Sequence, residues 1–239
     1  MAQKSINIDN KKFDISYDLV NPSLKNDFVV LHGWGSNKEI MKQAFSPYLK
    51  DFRHIYIDMP GFGKSSNDYV LTTSDYAKIV DAFLKELNSN KKIIAGHSFG
   101  GKVATLINPD NLVLLSTAGI LEEKPLDVKL KIKFSKILNA LGLKGITKAF
   151  RSKDVNQMSE SMYSTFKNVV DEDFTNSFKS YKKNGMIFWG EEDKATTLPS
   201  GEKIHSLIQN SSFNSYKGDH YFFLKHANDI SQKIENGII

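Results

Sequence analysis

Short runs of consecutive apolar residues alternate along this chain with stretches in which apolar residues recur every three or four positions. The continuous runs, such as 28–31 and 112–115, are typical of strands buried on both faces of a parallel sheet. The clearest periodic stretch is 73–87, whose apolar residues fall on one face of a helix. We therefore predict an α/β protein with a mostly parallel sheet of about eight strands, covered by helices on both faces.

The amino-terminal pattern differs from the rest of the chain. Apolar residues alternate with polar ones over 4–8 and 12–17, on either side of Asp9-Asn10, which predicts a β-hairpin. The remaining elements are predicted from shorter signals: strands at 54–57, 93–95, 186–189 and 213–216, and helices at 40–50, 102–107 and 200–208.

The alternation of strand and helix is interrupted between residues 120 and 184. That stretch has the periodicity of helices, with one apolar stripe between 130 and 141 and a second helical segment over roughly 156–182. We therefore divide the chain into a core, 1–119 and 185–239, and a helical insertion, 120–184, that follows the sixth strand.

Composition limits the class of protein. A length of 239 residues with 40% apolar content fits one α/β domain, and the absence of cysteine excludes disulfides and thiolate chemistry. The amino terminus lacks the apolar run of a signal peptide, and no apolar stretch is long enough to predict a transmembrane helix. These features predict a cytoplasmic protein.

The formal net charge of +5 is modest, and no aromatic-basic motif accompanies it, so we predict no binding of nucleic acid. The charge is unevenly distributed, because 124–153 holds nine basic residues and one acidic residue. Such a stretch is either a solvated helix face or a surface that attracts an anionic partner, such as an acidic substrate, an acyl carrier protein or a membrane surface.

A candidate nucleophile lies between a predicted strand and a predicted helix, in the run Gly96-His97-Ser98-Phe99-Gly100-Gly101. A strand that enters a helix through a single residue forces that residue into a strained conformation and leaves space for glycine alone on either side. Ser98 is then held with its hydroxyl exposed. Because Phe99 opens the helix, its N–H is unpaired beside that hydroxyl, which is the beginning of an acyl-transfer site.

A serine hydroxyl needs a base to accept its proton, and histidine has a suitable pKa. Among the six histidines, only His220 follows a predicted strand end in a loop that opens with glycine and precedes an apolar helix. The base in turn needs a carboxylate to hold its tautomer and stabilise its charge. Three candidates follow the strand at 186–189: Glu191, Glu192 and Asp193.

Five motifs together resemble the α/β-hydrolase family over nearly the whole chain. They are His32-Gly33-Trp34-Gly35, Asp58-Met59-Pro60-Gly61-Phe62-Gly63-Lys64-Ser65, the run around Ser98, Trp189-Gly190-Glu191-Glu192-Asp193 and Gly218-Asp219-His220-Tyr221-Phe222. The resemblance implies a catalytic triad of Ser98, Asp193 and His220, with Asp193 selected by its spacing from Gly190. It also implies an oxyanion hole formed by the main-chain N–H groups of Trp34 and Phe99, and a role for 120–184 as a cap, or lid, over the site.

The resemblance predicts a serine hydrolase that cleaves an ester or thioester of a small molecule. A carbon–carbon bond hydrolase of the dienoate type uses the same triad, a cofactor-free haloperoxidase-like side activity is a further alternative, and the fold also serves non-catalytic binding modules. Two of the motifs, those beginning at His32 and Asp58, also resemble those of esterases that cleave pimeloyl-carrier methyl esters.

Other kinds of site are not predicted. Gly63-Lys64-Ser65 resembles the end of a phosphate-binding loop, but that motif requires glycine where this chain has Asp58. We assign 58–65 a structural role, and expect neither a metal nor a cofactor. The motifs leave the substrate, its binding residues and the oligomeric state open.

Overall fold

The computed structural model describes residues 2–122 and 158–238, which contain a single eight-stranded sheet in the order β1-β2-β4-β3-β5-β6-β7-β8. The two pairings that involve β2 are antiparallel and the other five are parallel, so the predicted α/β architecture with a mostly parallel sheet is confirmed. The strands are β1 Ala2–Ile8, β2 Lys11–Val20, β3 Asp27–Leu31, β4 Arg53–Ile57, β5 Ile93–His97, β6 Asn111–Leu115, β7 Asn184–Gly190 and β8 Ser211–Tyr216.

The hairpin between β1 and β2 turns at Asp9 and Asn10, which have φ values of 50° and 60°. A tight two-residue turn needs left-handed backbone at both positions, and Asp and Asn tolerate it better than most side chains. The second strand extends to Val20, beyond the predicted end, because its last four residues pair with β4.

Helices cover both faces of the sheet, as predicted. In the described chain we number them α1 Lys38–Phe45, α2 Thr73–Glu86, α3 Phe99–Ile107, α4 Glu160–Val169, α5 Thr175–Ser180, α6 Leu198–Leu207 and α7 Phe223–Gly237. Apolar residues of α2, α3 and α6 share one buried cluster with one face of the sheet, and those of α1 and α7 share a second cluster with the other face. Because β3 to β8 are parallel to one another, the loops at their carboxyl ends lie together at one end of the strands.

Only part of the predicted insertion is described, because residues 123–157 lie outside the described residues. The basic stretch 124–153 lies wholly outside them, and so does the apolar stripe between 130 and 141. The helices α4 and α5 fall within the helical segment predicted at 156–182. The division into a core and a cap remains a prediction.

The carboxyl end of α4 is tied to α3 through Lys102, whose side chain is 1% exposed. Its ammonium group donates to the main-chain oxygen of Val169 and lies 3.3 Å from Glu172. Thr73, at the start of α2, also donates to Glu172. The carboxyl end of α4 is therefore fixed beside the helix that begins just after Ser98. No helix in the described parts of the chain is long and apolar enough to cross a membrane.

Candidate active site

Ser98 connects β5 to α3 in a conformation that non-glycine residues rarely adopt, with φ 51° and ψ −115°. The turn is so tight that a Cβ added to Gly96 would lie 2.4 Å from the main-chain oxygen of Gly100. A Cβ added to Gly100 would lie 2.6 Å from the oxygen of His32. Glycine is thus required on both sides of Ser98. The strained turn predicted from the sequence is present, and α3 begins at Phe99.

The loop after β3 lies directly against Ser98. A Cβ added to Gly33 would be 3.1 Å from the Cβ of Ser98, and a turn between Ser36 and Gly33 closes the loop with a 3.2 Å hydrogen bond. Phe99 is the first residue of α3, where N–H groups have no intrahelical partner. Trp34 follows Gly33 in this loop and Phe99 follows Ser98; these are the two residues predicted to form an oxyanion hole, and their ring centroids are 5.5 Å apart.

His32 connects this loop to the neighbouring one. The main-chain N–H of Met59 donates to Nε2 of His32 at 3.1 Å, so that nitrogen is the acceptor and Nδ1 carries the proton. Nδ1 in turn donates to the main-chain oxygen of Gly33 at 2.7 Å. Burial lowers the pKa of His32 to about 4, which keeps the imidazole neutral in this bridging role.

Asp193 and His220, which follow β7 and β8, are joined by a 2.7 Å hydrogen bond between Oδ2 and Nδ1. The side chain of Asp193 is fully buried, whereas that of His220 is 17% exposed. The other carboxylate oxygen, Oδ1, accepts main-chain N–H groups from Ala195 at 2.8 Å and Thr196 at 3.0 Å. Both Asp193 oxygens are thus held in place.

The pKa of Asp193 results from opposed effects. Burial alone would raise it, but the hydrogen bonds from His220 and Thr196 outweigh burial and lower the pKa to about 2. The carboxylate is therefore ionised at any pH where an imidazole can act as a base. It can fix the tautomer of His220 and stabilise a positive charge there.

The neighbouring carboxylates have other surroundings. Glu191 and Glu192 are both exposed, and Glu191 accepts a hydrogen bond from Ser215. Asp219 is exposed too, and accepts the main-chain N–H of Tyr221. Of the three carboxylates proposed from the strand end, Asp193 is the one that contacts His220.

The family model of the α/β-hydrolase fold matches residues 27–111, which run from β3 to the start of β6 and include Ser98. The chain has the α/β-hydrolase fold. A solved structure has the same fold: an esterase from Thermogutta terrifontis superposes with a TM-score of 0.74 at 15% identity, covering 99% of this chain and 97% of the esterase.

Curated proteins are similar to part or most of this chain. A pimeloyl-[acyl-carrier protein] methyl ester esterase of Proteus mirabilis is 35% identical over 96 residues, which are 39% of this chain and 36% of the esterase. The match thus spans about a third of that relative's length. An uncharacterized hydrolase of Bacillus subtilis, YugF, is 25% identical over 226 residues, covering 80% of this chain and 81% of the relative.

Within this α/β-hydrolase fold, the structure adds Thr196 to the residues expected from the sequence. Its hydroxyl lies 2.9 Å from Oδ2 of Asp193 and 3.0 Å from the main-chain oxygen of Ser116. The single hydroxyl hydrogen can serve one of these acceptors at a time. A threonine three residues after an aspartate is common in loops, so the sequence carried no specific signal for this contact.

The histidines that the sequence did not favour have separate partners. His54 lies near the amino end of β4 and bonds the main-chain oxygen of Leu49. Ser98 follows the carboxyl end of β5, so the two residues lie at opposite ends of the strands. His205 bonds Ser211, and His226 bonds the main-chain oxygen of Lys217. His97, next to Ser98, bonds the main chain of His220 at 3.0 Å.

The buried histidines predict acid sensitivity of the fold. Burial lowers the pKa of His32 to about 4, and burial together with the nearby His220 lowers that of His97 to about 3, from 6.5 for both. The unfolded chain therefore takes up these protons first, so stability is present above about pH 6.5 and is lost as pH falls toward the folded values. Each histidine should contribute a slope of about 1.4 kcal/mol per pH unit below about pH 6.

Urea unfolding between about pH 7 and pH 5 measures this slope, in a range above the ordinary titration of carboxylates. We expect the free energy of unfolding to fall with pH, and His97→Leu to reduce the slope by about 1.4 kcal/mol per pH unit. A free energy of unfolding that stays constant over this range would contradict the assignment of neutral buried histidines.

Proposed function

We propose that this chain is a serine hydrolase that cleaves an ester or thioester of a small molecule, with Ser98 as nucleophile, His220 as base and Asp193 as the acid partner. The observation that carries the proposal is the 2.7 Å bond between buried Asp193 and Nδ1 of His220, in a site whose nucleophile is held in a strained turn. That arrangement supplies an oriented base at the strand ends where the hydroxyl is presented.

The first half of the reaction follows from the bond to Asp193. Because Nδ1 of His220 donates to the carboxylate, Nε2 carries the lone pair and accepts the hydroxyl proton of Ser98. The serine oxygen then bonds to the carbonyl carbon of the substrate. The electron pair of the carbonyl moves onto its oxygen, which accepts hydrogen bonds from the main-chain N–H groups of Trp34 and Phe99.

The intermediate collapses when the carbonyl re-forms and the bond to the leaving alcohol or thiol breaks. Protonated His220 gives its proton to that leaving group, which leaves an acyl-enzyme on Ser98. Water then hydrolyses the acyl-enzyme by the same steps. His220 takes a proton from the water, whose oxygen bonds to the carbonyl carbon, and the acid product forms as the bond to Ser98 breaks and Ser98 receives the proton. Asp193 stays ionised throughout, as its low pKa requires.

The relatives support an ester as the bond that is cleaved. The Proteus mirabilis protein is named as a methyl ester esterase, and solved structures of the same fold include an esterase from Exiguobacterium antarcticum. We further propose that residues 120–184 form the cap over the site. Its described helix α4 lies on that side of the sheet, with Phe166 in contact with Trp34 at 5.4 Å between ring centroids.

A panel of p-nitrophenyl esters of increasing acyl length tests the proposal. We expect turnover with an optimum at one chain length, and complete dependence on Ser98. A carbon–carbon bond hydrolase would instead cleave a dienoate substrate, followed by loss of its absorbance, and would turn the esters over poorly. A binding module would do neither, so the three alternatives give different results.

The basic stretch 124–153 leads to a prediction about the partner. An acidic substrate or carrier attracted by the lysines of this stretch should react faster at low salt, because charges in contact with solvent are screened over about 10 Å at 0.1 M. We expect kcat/KM for an ester with an anionic acyl group to fall about tenfold between low and high salt, while a neutral ester changes little. Lys131→Gln, Lys133→Gln and Lys136→Gln together should remove this difference.

A charge-matched control is the triple change Lys12→Gln, Lys203→Gln and Lys225→Gln, at exposed positions outside the basic stretch. It should leave the salt response of the anionic ester in place. If anionic and neutral esters respond alike to salt and to both triple changes, the basic stretch is a solvated face and no anionic partner is attracted there.

A further inference from the structure

His97 lies between the proposed nucleophile and the proposed base. It is the residue before Ser98, it is 1% exposed, and its Nε2 lies 3.0 Å from the main-chain oxygen of His220. The two imidazole rings are 4.5 Å apart between centroids, and the ring of Phe223 packs on His97 at 4.9 Å. The side chain therefore reaches from the strand that precedes Ser98 to the loop that carries His220.

The partner determines the tautomer of His97. A carbonyl oxygen can only accept, so Nε2 carries the proton and Nδ1 carries a lone pair. Among the described residues no donor reaches this buried Nδ1. A Cβ on Gly33 would lie 3.0 Å from it, so the loop after β3 closes over this nitrogen without supplying a hydrogen bond.

A buried acceptor that has no hydrogen bond lowers the stability of the folded state. Leucine has a similar volume and would fill the same apolar surroundings without an unpaired nitrogen. The stability of the fold therefore does not explain a histidine at position 97. The hydrogen bond from its Nε2 to the main-chain oxygen of His220 gives a reason for a histidine at this position.

The loop around His220 is held from two sides. On the side of the acid, the N–H of Glu192 donates to the oxygen of Gly218 at 2.9 Å, and Asp193 bonds the imidazole itself. On the side of the nucleophile, His97 bonds the residue that carries the base. Loss of that bond would leave the imidazole tied to Asp193 while its main chain could shift away from Ser98.

We infer that His97 is a positioning residue, which fixes the main chain of His220 against the strand that leads to Ser98 and keeps the base aligned with the nucleophile. This inference rests on the proposed function. It assigns a role in the reaction to a side chain that touches neither the substrate nor the reacting atoms.

The test compares His97→Gln with His97→Asn. The amide nitrogen of glutamine reaches about as far as Nε2 and can donate to the same oxygen, whereas the amide of asparagine ends near the position of Nδ1. A displacement of about 1 Å in a catalytic group costs on the order of 10²-fold in rate. We expect the asparagine variant to lose about 10- to 100-fold in kcat with KM changed less than about threefold, and glutamine to stay within about fivefold of the parent.

Urea unfolding of His97→Leu separates positioning from structure. We expect its free energy of unfolding to change little at neutral pH, because the unpaired nitrogen is removed along with the bond, while kcat falls as for asparagine. The matched control is His54→Leu, which removes another buried histidine bonded to a main-chain oxygen and should lower stability without lowering kcat.

Parent-like kcat in the asparagine and leucine variants would overturn the inference. So would equal losses in asparagine and glutamine, or losses that follow the loss of stability. If Ser98→Ala remained active, the proposed function would fail instead, so the two failures are distinguishable.

Discussion

Replacement of Ser98 or His220 by alanine is expected to lower kcat for an ester by roughly 10⁴ or more. Without the serine there is no acyl-enzyme, and without the imidazole the hydroxyl keeps its proton at neutral pH. In the proposed mechanism, the bond between Asp193 and Nδ1 of His220 leaves Nε2 to remove this proton, so the loss of the imidazole would be the loss of the base.

The double variant should be scarcely worse than either single one, because residues that act as a unit have non-additive effects. His226→Ala is the control, since this nearby histidine bonds the main-chain oxygen of Lys217 instead of a carboxylate. It should keep near-parent kcat. Near-normal turnover in His220→Ala would show that another group is the base.

Asp193→Asn is expected to cost on the order of 10³–10⁴ in kcat through the tautomer of His220. The main-chain N–H groups of Ala195 and Thr196 both point at the Oδ1 position, so the amide oxygen of the variant must take that position. The amide NH₂ then faces Nδ1 of His220 and forces it to be an acceptor. Nε2 must carry the proton in that tautomer, and it cannot take one from Ser98.

The controls are Glu191→Gln and Glu192→Gln, which change neighbouring exposed carboxylates. We expect kcat to change less than about twofold for either, because a surface charge contributes little. KM should be similar in all three variants, since no substrate contact is removed. Equal losses at Glu192 and Asp193 would contradict the choice of acid.

Much of the fold could be predicted because its signals are local. The buried strands have continuous apolar runs, and α2 has a complete apolar face with a capping box between Thr72 and Asp75. The turn at Ser98 was predictable for the same reason. The residues that require glycine at 96, and the serine between the two glycines, all lie within five consecutive positions.

Contacts between distant segments could not be predicted. Thr196 approaches the main-chain oxygen of Ser116, 80 positions away, because β6 and β7 are neighbours in the sheet. His97 bonds the main chain of His220, 123 positions away. The extension of β2 likewise depends on its pairing with β4. None of these contacts has a local sequence pattern.

Covalent labelling with a fluorophosphonate, followed by mapping of the modified peptide, tests whether Ser98 is an activated nucleophile. An activated serine displaces fluoride and becomes phosphonylated, whereas ordinary serines do not react. We expect one label per chain, on Ser98, formed in the parent and lost in both Ser98→Ala and His220→Ala. Absence of labelling in the folded parent, or a label on another serine such as Ser116, would contradict it.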